Sequence, residues 1–287
     1  MSLWSIPSPD TTGQFTMLLD SVLLPLLIKV AAAAFVVVIA SIASEKAGPF
    51  FGGVISSLPV STGPAYVLLA IEHDDRFIAD SALSSLVTNG AMILYLVSLV
   101  RIAPRFGMAA TVLISSALWI AVAVGLRSAA DWSLPAAVLL NLACYGLAYG
   151  LARTHRDGPA PRTKAGPRWY DIPARAALVG VLVATVTSLS HVIGPTATGI
   201  AAIYPIALTS LTVILHQRMG GGSVAAAMRS ALMTNPGLAL ALLTAHLTAE
   251  PFGRAAALTA ALAVSLAWAG ALLVWRARRM RRAVQAA

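Results

Sequence analysis

Carboxylates are scarce in this chain, and none stands in the middle of an apolar stretch. Asp and Glu number 11 in 287 residues, and charged residues of both signs make up 11%, against the roughly 25% usual in soluble domains. The acids fall in loops or at helix ends: Glu45, the Glu72-Asp74-Asp75 group, Asp80, Asp131, Asp171 and Glu250 among them. A proton or sodium antiporter built on buried acids needs its carriers inside the bundle, so that class is disfavoured. Cysteine is limited to Cys144, which excludes an intrachain disulfide and reads as a small apolar residue within a helix. Enzyme signatures are missing too: no P-loop Lys, no HExxH, no Cys pair and no nucleophile elbow. Gly220-Gly221-Gly222 lacks a following Lys-Ser/Thr and reads as a flexible turn. His73, His216 and His246 lie at helix ends without metal-cluster spacing. The chain is therefore expected to be no enzyme, with no cofactor and no metal. Residues 1–20 carry Asp10 and Asp20 but no Lys or Arg, which argues against a cleaved signal peptide.

What is abundant is apolar length. The chain is 58% hydrophobic, and its apolar runs are about 20 residues each, enough for a helix to cross hydrocarbon. The runs predict nine spans, near 26–45, 50–71, 80–100, 107–126, 132–152, 174–191, 195–216, 225–246 and 255–275. A net charge of +9 suggests nucleic acid until its placement is considered. With nine spans, one face receives 16 of the 20 Lys and Arg residues, and the other holds Lys29, Arg76, Arg127 and Arg254. That asymmetry is the positive-inside rule, so nucleic acid is not an expected partner. It predicts a multi-pass protein of the cell inner (plasma) membrane, N-terminus outside and C-terminus in the cytoplasm. The tail arginines, Arg276 to Arg282, read as a stop-transfer clamp able to touch anionic membrane lipids.

The spans repeat. Residues 29–90 align with 175–236 at a constant offset of 146, without a gap. Gly48-Pro49 falls on Gly194-Pro195, Gly53 on Gly199, Pro59 on Pro205, and Thr88-Asn89 on Thr234-Asn235. Fourteen of the 62 pairs are identical, roughly twice what composition alone supplies. Five crossings precede the second copy, so it enters from the opposite face. The expected fold is an all-α polytopic membrane protein with a 4+1+4 inverted-topology repeat. Its parts are a first four-helix repeat (1–126), a linker helix with a basic cytoplasmic loop (127–171), and a second repeat with a basic tail (172–287).

Pro59 and Pro205 fall near the middles of spans two and seven, where each removes a backbone donor and clashes with the preceding turn. Both spans are expected to be broken there. Gly53, Ser61 and Thr62 flank the first break, and Gly199 and Thr209 the second. Asn89 and Asn235 sit at the same depth, each after a Thr (Thr88, Thr234), and Pro236 is expected to break span eight as well. A carboxamide in hydrocarbon needs partners, so it faces protein, either as a binding group or as interhelical glue. Asn141 in the unrepeated span five can point to the same centre. Glu45 and His191 are repeat mates at opposite interfaces, open either to gating or protonation or to plain solvation.

Ala47-Gly48-Pro49…Gly52-Gly53, followed by Leu58-Pro59-Val60-Ser61-Thr62, a short charged loop and a further span, resembles the small four-helix inner-membrane proteins of the GlpM type. The likeness covers about 100 residues and returns more weakly in the second half. It implies a fused, inverted pair of such units. It supplies architecture and no substrate.

These features favour a secondary transporter of a small anionic or zwitterionic solute, working by alternating access. Its site is expected at the midplane, lined by Asn89, Asn235, Thr88, Thr234, Pro59, Pro205, Ser61, Thr62, Thr209, Gly53 and Gly199. The alternatives are translocation of a lipid or lipid-linked precursor, and a non-transporting subunit of an envelope complex. Small-residue runs at Ala31–Ala34 and Ala255–Ala257 permit close packing within the chain or in a homodimer.

Overall fold

The computed structural model describes residues 24–46, 62–129, 131–152 and 170–285. Among the described residues every regular element is a helix, which is how a lipid-embedded backbone satisfies its own polar groups. In chain order they are α1 (Leu24–Lys46), α2 (Thr62–Glu72), α3 (Asp75–Ile102), α4 (Met108–Ala129), α5 (Leu134–Ala152), α6 (Asp171–Ala202), α7 (Ile206–Met219), α8 (Gly221–Phe252) and α9 (Arg254–Gln285). Five described stretches are long and apolar enough to cross a membrane: Asp75–Ile102, Met108–Ala129, Leu134–Leu151, Asp171–Met219 and Arg254–Trp275. The chain is thus an all-helical protein of membrane-embedded character. Gly53, Pro59 and Ser61 lie outside the described residues, as does the side chain of Glu45.

α3 is the centre of the bundle. Of its apolar window 89% is buried, against 22% for α4, α5 and α9. α8, α6, α5 and α4 all pack against α3, α9 covers α8, and α1 lies on α6. Outer faces carry exposed Leu113, Leu139 and Leu262, as suits helices that meet lipid tails. Small residues set the closest approaches. A Cβ on Gly180 would sit 2.9 Å from the Val30 carbonyl, so α1 and α6 meet backbone to backbone. Helix ends are capped where they meet polar groups: Asp74 accepts from the Phe77 amide at 2.8 Å, and Asp75 accepts from the Arg254 amide at 2.9 Å.

Two local expectations are corrected. α8 runs through Pro236 without a break. The ring removes one backbone donor, but packing of α8 between α3 and α9 holds the helix on either side. Gly220–Gly222 is no flexible turn either. Gly220 alone makes the turn, with φ +77°, and α8 starts at Gly221. A Cβ on Gly221 would fall 1.8 Å from the Ala103 carbonyl, so that glycine is a tight contact with the end of α3.

Between 171 and 219 the chain leaves helical geometry twice. Gly194 has φ 72° and ψ 175°, a conformation open to glycine, and Pro195 follows it. Residues 203–205 then separate α6 from α7, with Pro205 as the N-cap of α7. The short helix 195–202 lies between these two interruptions.

Candidate central polar site

α3, α5 and α8 each bring carboxamide or phenol groups to one buried point. Asn89 on α3 is fully buried, and Asn141 and Asn235 are nearly so. Asn89 Nδ2 donates to Asn141 Oδ1 at 2.8 Å and lies 3.2 Å from the Tyr145 hydroxyl. Asn235 Nδ2 donates to Asn89 Oδ1 at 3.1 Å and to the same Tyr145 hydroxyl at 3.1 Å. Asn141 Nδ2 closes the network on the carbonyls of Leu86 (2.8 Å) and Ala137 (2.9 Å). The two asparagines that share an offset of 146 therefore touch each other. Two residues of a single face of α5, Asn141 and Tyr145 at i and i+4, complete the cluster with them.

The cluster is neutral and buried, rich in both donors and acceptors. It suits recognition of a polar group by exchange of hydrogen bonds and offers nothing to titrate near neutrality. Thr88 and Thr234 flank it without joining it: their hydroxyls bond back to Ser84 O and Ala231 O of their own helices.

A second polar row secures the short helix 195–202. With 203–205 out of helical register, its last carbonyls lack intrahelical donors. Ser85 supplies one, donating to Gly199 O at 2.6 Å, while Ser81 and Ser84 bond the first carbonyls of the same helix, Pro195 O at 3.1 Å and Thr196 O at 2.8 Å. Thr62, at the start of α2, reaches Ala202 O at 3.4 Å, and Tyr66 pairs with Ser85 at 2.8 Å. Gly199 is obligatory here, since a Cβ would lie 2.2 Å from the Ser81 carbonyl. Thr62 and Gly199 thus serve one seam, one turn of α3 away from Asn89.

Thr209 belongs elsewhere. Its hydroxyl bonds Pro205 O at 2.8 Å and meets the Tyr95 hydroxyl at 2.8 Å. Pro205 is buried beside it. At another place an apolar cavity of about 330 Å³ is lined by α1, α2, α8 and α9, including Ala33, Gly63, Leu68, Ala241 and Ala245. Exposed Val36, Val67 and Leu262 rim it, so it opens sideways on the outer surface of the bundle.

His191 has partners that sequence reasoning did not assign. Its Nε2 is 3.9 Å from Glu72 Oε2, and its ring is 4.2 Å from that of His73. Glu72 Oε1 takes the Lys29 ammonium at 2.7 Å, and His73 Nε2 lies 2.6 Å from Ser190 Oγ. Burial, and then the neighbouring His191, hold the His73 imidazole below its ordinary pKa. His73 meets His191 across more than 100 residues of chain, a proximity that local spacing does not express.

Tyr145, Tyr66, Tyr95 and the Ser81-Ser84-Ser85 trio were missed by sequence reasoning. The serines had a signal, since 81, 84, 85 and 88 fall on one helical face of an apolar span. No family model matches the chain, and no curated protein or solved structure is significantly similar to it.

Proposed function

We propose that the chain is an inner-membrane secondary transporter whose two repeats are related by a pseudo-twofold axis in the membrane plane. The observation that carries this is the contact of repeat mates. Two residues related by a twofold can touch only where the axis passes, and Asn89 and Asn235 are hydrogen-bonded there. Tyr145 stands nearly equidistant from both, as an atom on the axis would. Gly180 and Ala34 form a second such pair, a Cβ on the glycine lying 3.6 Å from Ala34 Cβ. Element limits support the same relation: α1 shifted by 146 spans 170–192, α6 begins at 171, and Gly194 interrupts it.

In this reading the Asn89-Asn235-Asn141-Tyr145 cluster closes the midplane in the resting state, and a small polar solute opens it by replacing those bonds. The solute class, anionic or zwitterionic, follows from the half-helix N-termini expected in a transporter of this repeat type. Alternating access then rocks one repeat against the other about the axis, with the N-terminus outside and the C-terminus cytoplasmic. The test is a thermal-shift screen of anions, amino acids, sugars and lipids on the detergent-purified chain, with Asn89→Ala/Asn235→Ala alongside. A ligand at about 100 times its Kd stabilises by about 2.7 kcal/mol. A soluble solute that stabilises the wild type alone supports the site; one that stabilises both equally removes it.

One observation favours a second reading, lipid handling: the sideways-opening apolar cavity on α1, α2, α8 and α9. A response in the screen to lipids alone, unaltered by the asparagine substitutions, would select it.

A further inference from the structure

We propose that Glu72, His73 and His191 form a binding site for a divalent transition-metal ion of the zinc type, independent of the transport reading. The three residues come from the last turn of α2, the α2–α3 turn, and α6 just before its interruption at Gly194. Each offers one ligand atom, and these atoms all lie within 4.8 Å of one another. Two imidazoles and a carboxylate are a donor set that suits zinc, with bonds of about 2.0–2.2 Å, and a fourth position left for water. Closing the set takes a contraction of about an ångström or so at each ligand pair. His191, whose side chain is 60% exposed, has the freedom to supply it at its own two pairs, and the Glu72–His73 pair closes by side-chain rotation at the end of α2.

The surroundings already do what the neighbours of a metal ligand do. Ser190 Oγ donates its one proton to Thr187 O at 2.6 Å, so His73 Nε2–H must be the donor to Ser190. That assigns the proton to Nε2 and leaves Nδ1 as the nitrogen through which His73 would ligate. Phe77 stacks on the His73 ring at 3.6 Å and 6°, which fixes its plane. Lys29 holds Glu72 Oε1 and leaves Oε2 toward His191. The ammonium neutralises the carboxylate when no metal is present and competes with a cation, so it sets the affinity. An oxygen-seeking ion such as calcium finds only one carboxylate and two nitrogens here, and is a poor fit.

A bound ion would join the α2–α3 turn to α6, residues 72–73 to residue 191. It would staple two parts of the bundle that the chain connects only through more than 100 residues.

The test is calorimetric titration of the full chain in detergent, carrying no polyhistidine tag, with Zn²⁺, with Co²⁺ absorption as a second readout of coordination. The expected result is one ion per chain, with nitrogen-ligand d–d bands and no competition from Ca²⁺. His191→Ala, an exposed position whose loss leaves the packing intact, should weaken binding at least roughly tenfold, and Lys29→Met should tighten it by about as much. His246→Ala, away from the cluster, should change nothing. Absence of saturable binding at millimolar zinc, or binding retained in His191→Ala, overturns the site.

Discussion

The two halves of this chain share a pattern but fill it differently. At the constant offset of 146, Tyr95 corresponds to Ala241, Leu99 to Ala245 and Thr209 to Gly63. On one side the Tyr95 ring fills the space against α7 and ties its hydroxyl to Thr209. On the other, three small residues line an open apolar cavity of about 330 Å³. Positions paired by the sequence offset thus line a filled contact in one place and an apolar cavity in the other. Side-chain volume at the paired positions differs: a tyrosine and a leucine on one side, two alanines on the other.

The largest expected effect comes from unplugging the filled side. Tyr95→Ala removes a fully buried aromatic ring and should lower stability by about 3–5 kcal/mol, read as a drop in the thermal midpoint in detergent. A small drop would mean that the groove collapses and that the contrast between halves is only one of packing. Next is Gly199→Ala, where the new methyl meets the Ser81 carbonyl and should cost about 1–3 kcal/mol. Gly146→Ala, with open space around it, serves as the neutral control.

At the centre, Asn89→Ala should cost more than Asn235→Ala, because Asn89 holds bonds to Asn141, Tyr145 and Asn235 together. About 1–2 kcal/mol is expected for Asn89 and about 0.6 kcal/mol for Asn235, with a positive coupling energy in the double-mutant cycle. Equal losses with no coupling would break the idea of a shared axis. The smallest effect is expected from Ala241→Phe, which fills the empty groove and should change stability by less than about 1 kcal/mol. If it abolishes a lipid-dependent thermal shift while leaving a solute response intact, the cavity is a lipid site distinct from the asparagine centre.

Asn89, Asn235 and Asn141 were legible as a set because carboxamides are rare in apolar runs and costly there without partners. Their meeting point was only half legible. An offset of 146 pairs Asn89 with Asn235 but does not say that they touch, and nothing in the sequence around Tyr145 announces a hydroxyl shared by both. The outer cluster was illegible for a different reason. His191 was paired with Glu45 by alignment, yet alignment finds equivalence and not contact, and the residues it meets are Glu72 and His73. Pro236 shows the converse error, since a proline signals a lost donor but not whether neighbouring helices hold the turn together.

By itself the sequence determined the membrane-embedded, all-helical character of the described chain and the periodic placement of Gly, Pro and Asn. Length and apolarity settle the first through the cost of unpaired backbone in lipid, and special backbone or polar needs mark the second. Only the tertiary structure decided that Asn89 and Asn235 touch, that Tyr95 meets Thr209 and which charges meet. Those outcomes depend on side chains more than 100 positions apart arriving within a few ångströms, and no local propensity encodes that distance.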